Sequence, residues 1–256
     1  MNRQHQIRCE QGGRARSAVG DTGDRSTVDE VGRQRAPEDS SGERVKIIAV
    51  GSAKGGVGKS TSALYLATRA AECLGGTAER PVVGLVDRDE SKNLTELLRL
   101  RPDLLRPGVI LLGEDIPADS TGLHVIVIDT PPGLTAIQSL KEAHLVLVPV
   151  HPEDQGVANL VRYLRSIEGQ RQTVSPKMRL LALLPSMVER TVLQRQRLED
   201  IRLIAARHRP PLIVLSPVPR RARIAAFDLN APEYDVPTQE IFSHASISPF
   251  SSTVTR

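Results

Sequence analysis

The stretch Ser52–Thr61, SAKGGVGKST, sets two lysines in a glycine-rich run. Glycines 55, 56 and 58 carry no Cβ, so the backbone there can approach a ligand closely and turn its N–H groups inward. Such a surface suits an anion, and a helix beginning near Lys59 adds the positive end of its dipole. Lys59 followed by Ser60 closes the pattern G-x-x-x-x-G-K-[ST], in which the lysine contacts β- and γ-phosphates and the hydroxyl ligates Mg²⁺. Gly55, Gly56, Val57, Gly58, Lys59, Ser60 and Thr61 are therefore the candidate phosphate-binding residues. Ala53 stands where the pattern has its first glycine, and Lys54 is a second cation that an ordinary loop of this kind does not need.

Three acids close apolar runs elsewhere. Asp129 ends HVIVID, and Asp87 and Asp89 end VVGLVDRD. Open α/β sheets bind ligands beyond the carboxyl ends of their strands. With a phosphate loop beside them, acids at two such ends fit a hydrolysis site. One helps to hold the metal and another orients the attacking water.

These residues need elements to hold them. VKIIAVG before the loop predicts a buried strand, and TSALYLATRAAECL after it has helical spacing at Leu64, Ala67, Ala71 and Leu74. VVGLVD, HVIVIDTPPG, LVLVPV, RLLALLP and LIVLSPV predict further strands. NLTELLRL, LTAIQSLKEA, GVANLVRYLRSIEG and VLQRQRLEDIRLIAARH predict helices, the first with Asn93 as its cap. Continuous apolar strands alternating with helices mean an α/β protein with a parallel, twisted sheet covered on both faces, here a P-loop core.

Composition bounds the rest. Aromatic residues are 2% of the chain and tryptophan is absent, so the core must be aliphatic. No apolar run reaches the roughly 18 residues of a membrane span, and the N-terminus lacks the apolar segment of a secretory signal. Cys9 and Cys73 fit neither a metal spacing nor a disulfide framework, so a reducing, cytoplasmic setting is expected. Residues 1–44, rich in Gly, Ser, Arg and Asp without periodicity, read as a disordered arm; 45–242 read as the P-loop domain and 243–256 as a loose tail. Charge is uneven: residues 155–225 hold 14 Lys+Arg against 4 Asp+Glu, a net +10 inside a chain whose total is +4. Taken alone, such a run reads either as a solvated arginine-rich face or as the electrostatic footprint of a polyanion-binding surface.

KGGVGKST resembles the deviant Walker A motif of the ParA/MinD-type ATPases. VDRDESKN is similar to the DxDPQGN segment of that family, and IVIDTPPG to its Walker B segment. AHLVLVPVHPEDQGVANL and VPRRARIAAFDLNAPEYD resemble its later strand–helix and C-terminal segments, so the likeness covers roughly residues 45–240. The resemblance implies ATP and Mg²⁺ as cofactors and a face-to-face homodimer around two ATP molecules. It makes Lys54 the cation that reaches across to the partner's phosphates, like an arginine finger supplied in trans. By motif position it makes Asp89 the water-orienting acid and groups Ser60, Asp87 and Asp129 around the metal, with Lys54, Lys59 and Asp89 as the catalytic set. Met187, Pro217 and Pro219 fall on the adenine side, Met187 where relatives carry an asparagine. Glu90, Ser91 and Lys92 replace the usual Pro-Gln-Gly after Asp89.

The function this implies is a ParA-like DNA-partition ATPase. Its ATP-bound dimer binds DNA without sequence preference, and a centromere-binding, ParB-like adaptor stimulates hydrolysis and release. Arg190, Arg195, Arg197, Arg220, Arg221 and Arg223 are the candidate phosphate contacts, and the expected location is the cytoplasm, on the nucleoid. The alternatives are a membrane-associated MinD-like ATPase, one that positions a protein cargo, and a metabolic member of the superfamily. A membrane role asks for a basic amphipathic C-terminal helix, and the stretch after Phe242 has one basic residue, Arg256, so no stable membrane association is expected. A cluster-bridging reductase asks for cysteines at the dimer face, and Cys73 lies on an apolar helical stripe.

Overall fold

The computed structural model describes residues 45–118, 120, 122–174 and 177–247. The expected N-terminal arm lies outside the described residues, as do 248–256 of the expected tail. The chain runs β1 (Lys46–Ser52), α1 (Lys59–Cys73), β2 (Val83–Asp87), α2 (Asn93–Leu100), β3 (Val109–Leu111), β4 (Val125–Pro132), β5 (Leu145–Val150), α3 (Asp154–Val174), β6 (Leu180–Pro185), α4 (Val192–Arg207), β7 (Ile213–Val214), α5 (Ala222–Ala225) and α6 (Asp235–Ala245). All strand pairs are parallel, and the sheet order is β3-β2-β4-β1-β5-β6-β7. This is the doubly covered α/β sheet that the apolar runs predict.

Period-2 alternation sorts the strand residues between two cores. Ile48 and Val50 of β1 pack with Leu64 of α1, Leu94 and Leu98 of α2, and Phe242 of α6. Ile47 and Ala49 face the opposite layer, with Leu160 and Tyr163 of α3 and Ile201 of α4. Aliphatic side chains fill most of both layers, as the low aromatic content requires. The register sets Asp129 beside Val50 on one side and Asp87 on the other, so β2, β4 and β1 end together.

Four expectations change. LTAIQSLKEA forms a 3-10 helix, Thr135–Leu140, instead of an α-helix. Ala136, Ile137 and Leu140 are still buried, so packing holds the segment although its hydrogen-bond ladder is the weaker kind. Asn93 is the first residue of α2 and Lys92 takes the cap position, at φ 51. Arg190 and Arg197 are seven apart, a spacing that would put them on one helical face, but Arg190 precedes α4 and shares no face with Arg197. The boundary expected at 242 falls inside α6, and Ile247 beyond it is buried with the core, so 243–247 belong to the folded body.

One close approach ties the sheet to α3. A Cβ on Gly51 would lie 2.2 Å from the Tyr163 hydroxyl, which is buried without a hydrogen-bond partner. Gly51→Ala is expected to cost about 1–3 kcal/mol by overpacking. Tyr163→Phe in the same background should recover most of it, because the hydroxyl has no bond to lose. Denaturant unfolding measures both, and an alanine variant as stable as the parent would refute the contact.

Candidate nucleotide-binding site

Between β1 and α1 the chain turns through Gly56 at φ 73 and Gly58 at φ 89, the left-handed region that glycine enters without strain. Nothing lies within 4 Å of a Cβ built on Gly55 or Gly56, so the loop's open side can accept phosphates. Its other side is pinned where the Ser186 hydroxyl donates to the Val57 carbonyl at 2.9 Å. Lys59 opens α1 and is buried. Burial lowers its pKa, opposed by the charges of Asp129 and Asp89.

The three acids divide their work. Asp129 is fully buried, and neither of its carboxylate oxygens has a hydrogen-bond partner. Burial raises its pKa to about 7, reinforced by Asp87 and Asp89; the nearby Ser60 hydroxyl and Lys59 favour the ionised form. An orphaned buried carboxylate beside a hydroxyl and an open phosphate loop fits a divalent cation. Among the described residues no group of three or more His, Cys, Asp or Glu forms a metal cage. Mg²⁺ keeps water and phosphate oxygens as ligands and takes few from protein, so the Asp129 carboxylate and the Ser60 hydroxyl are groups of the kind it uses.

Asp87 is committed to structure as it stands. One oxygen accepts from the Thr95 amide and hydroxyl, each at 2.9 Å, and the other from the Asp89 amide at 3.1 Å. Thr95 is the third residue of α2, so Asp87 satisfies an orphan N–H there that Lys92, in the cap position, leaves unmet. Asp89 accepts from the Ser91 amide at 3.0 Å and hydroxyl at 2.7 Å, which closes a tight turn.

Lys54 lies at the loop's rim. Its ammonium is 3.2 Å from Glu153 and 3.4 Å from the Gln155 side-chain oxygen. Glu153 in turn pairs with His151 Nδ1 at 3.3 Å. Thus the second lysine is held by its own chain, outside the phosphate cradle.

A cavity of about 240 Å³ opens beyond Gly58 and Thr61. Met187 and Pro219 line it with Val218, Ile224, Arg221 and Tyr234; Pro217 is not among the lining residues. Met187 is held at φ 54, and its methyl lies 3.5 Å from the Cβ position of Gly58. The sequence reading missed Tyr234 and Ser186. Tyr234 stacks on Tyr65 at 4.6 Å and shares a 3.1 Å hydrogen bond with Ser62, coupling the C-terminal segment to α1. Neither carries a motif; only the loose C-terminal likeness pointed toward Tyr234.

The candidate polyanion residues fall into two sets. Arg190, Arg220 and Arg221 line one groove of about 420 Å³, and its wall at Pro219–Arg221 is also the wall of the cavity. Arg220 pairs with Glu189 at 3.2 Å, while Arg221 and Arg223 both approach the buried Glu233. Arg197 is engaged by Asp154 and Asp200. Arg190 and Arg195 have no ion-pair partner among the described residues.

Residues 48–231 match the family model described as the CobQ/CobB/MinD/ParA nucleotide binding domain. The chain is 29% identical over 237 residues to the chromosome-partitioning ATPase Soj of Thermus thermophilus, covering 80% of this chain and 91% of Soj. It is 24% identical to the chromosome partitioning protein ParA of Caulobacter vibrioides, covering 75% of this chain and 86% of ParA. Among solved structures, an ATP complex of Cyanothece McdA superposes with TM-score 0.60 at 16% identity, covering 81% of this chain and 98% of McdA. The matched residues include the phosphate loop and the orphaned Asp129, and the chain is a member of the CobQ/CobB/MinD/ParA nucleotide-binding family.

Proposed function

We propose that the chain is a DNA-partition ATPase. It takes ATP with Mg²⁺ through Lys59, Ser60 and Asp129, forms a nucleotide-dependent homodimer in which Lys54 completes the partner's site, and binds DNA without sequence preference. A centromere-binding adaptor of the ParB kind stimulates hydrolysis, and the working location is the nucleoid. The carrying observation is the groove of Arg190, Arg220 and Arg221, which shares a wall with the cavity beyond Gly58 and Thr61, the place proposed here for the nucleotide's base. Bound nucleotide therefore acts on the segment that carries the cations. Among the described residues no helix is long and apolar enough to cross a membrane.

The test is a salt titration of binding to unrelated duplexes, with ATP and with ADP. A dimer presents a second groove, and three more phosphate contacts steepen the salt slope by about 2.7. Binding should require ATP, ignore sequence and weaken steeply with salt. Arg190→Glu with Arg195→Glu should weaken it and leave ATP affinity unchanged, since neither residue lines the nucleotide cavity. Equal, weak binding in both nucleotide states would overturn the DNA role.

A further inference from the structure

Arg88 stands between Asp87 and Asp89, and its side chain reaches away from both. Its Nε donates to the Glu114 carbonyl at 3.1 Å, and one terminal nitrogen donates to the Ser139 carbonyl at 3.1 Å and the Glu142 carboxylate at 2.6 Å. Its own amide donates to the Asp129 carbonyl at 2.9 Å. One residue therefore joins the loop carrying Asp89, the end of β4 carrying Asp129, and the 3-10 segment that follows. Only 15% of the Arg88 side chain is exposed, so these bonds are partly shielded from water.

The 3-10 segment needs such a partner. Its backbone ladder is short and of poorer geometry than an α-helix, which leaves carbonyls near its end for other donors. Arg88 supplies one at Ser139. Lys92 reinforces the far side of the same loop: its ammonium donates to the Asp87 carbonyl at 2.8 Å and pairs with Glu114 at 2.9 Å. Glu114 and its carbonyl thus receive both cations of the loop. Nothing in this arrangement uses nucleotide, so the loop is braced by the chain itself.

We propose that Arg88 is a positioning residue for ATP hydrolysis, locking the loop that carries Asp89 to the segment that follows Asp129 so that the two acids move as one body. This rests on the reading of those acids as the hydrolysis site and is independent of DNA binding. A shift of about 1 Å in a water-orienting group can cost a hundredfold in rate while phosphate contacts stay intact. The bracing therefore shows in turnover and leaves nucleotide affinity alone.

The experiment compares Arg88→Ala, Arg88→Lys and Glu142→Gln in the full chain. Arg88→Ala should lower kcat between about tenfold and a hundredfold and keep the Kd for MgATP within about twofold. Arg88→Lys retains the Glu142 pair but cannot serve both carbonyls, so it should fall between alanine and the parent. Glu142→Gln keeps side-chain shape, guards against misfolding of the alanine variant, and should lower kcat in the same direction. Amide hydrogen exchange supplies the readout that a local role would not move: Glu142→Gln should raise exchange at 88–92 as well as at 139–143. Unchanged kcat in Arg88→Ala, or exchange confined to 139–143, would overturn the proposal. Full turnover in Asp89→Ala would instead remove the acid's role, and the exchange result would still decide the coupling.

Discussion

Replacing Lys59 with alanine is expected to lower MgATP affinity at least about a thousandfold. The side chain is buried at the start of α1, directly behind glycines whose left-handed backbone opens toward a ligand. Desolvation strengthens its bonds to anionic oxygens, and charge-assisted bonds to two phosphate groups of about 2 kcal/mol each amount to about 4 kcal/mol. Each 1.4 kcal/mol is a factor of ten. Asp129 then loses the neighbouring cation that opposes its burial, so the metal side of the site weakens too. Alanine is the better helix former, so the fold should survive, and a thermal melt like the parent's separates lost binding from lost structure. Titration with a fluorescent ATP analogue measures the affinity. A variant that binds within tenfold of the parent would mean that the backbone cradle alone carries the phosphates.

How the site assembles was partly legible in the chain. Apolar runs locate β1, β2, β4 and β5 because strands buried on both faces need no polar alternation, and the acids at their ends follow at once. β3 was hidden: three residues at the sheet edge, with Ile110 40% exposed, carry too little pattern. α6 buries Thr238, Ile241 and Phe242 at helical spacing, a stripe too short to stand out beside Pro237. The 3-10 segment misled because burial at 136, 137 and 140 suits either helix type. Pairings distant in sequence were the least visible. Asp87 reaching Thr95, Arg88 reaching Glu142 and Lys54 reaching Glu153 span 8, 54 and 99 positions, and no local period encodes them. Thus the motif residues could be named from sequence, while what restrains each of them could not.

Lys54→Ala should separate binding from assembly. In the single chain, Lys54 is tied to Glu153 and Gln155 and contributes nothing to the phosphate cradle, so monomer affinity for MgATP should change less than about threefold. The tie is easily broken: both side chains are more than a third exposed, at 39% and 38%, and such pairs are worth under about 1 kcal/mol. A water-excluded interface facing a partner's phosphates offers the same ammonium a stronger set of acceptors. In the proposed dimer Lys54 leaves Glu153, crosses to the second nucleotide, and stabilises charge developing in the transition state. Groups acting in this way are worth about a thousandfold or more in turnover. The variant should elute as a monomer with a slowly hydrolysed analogue and lose turnover by about that factor. Glu153→Gln should act oppositely, freeing the lysine and easing dimer formation at lower nucleotide concentration. Size-exclusion chromatography and steady-state hydrolysis test both variants together. If Lys54→Ala dimerises and hydrolyses like the parent, the second lysine is a rim cation held by Glu153 and the proposed trans contact is wrong.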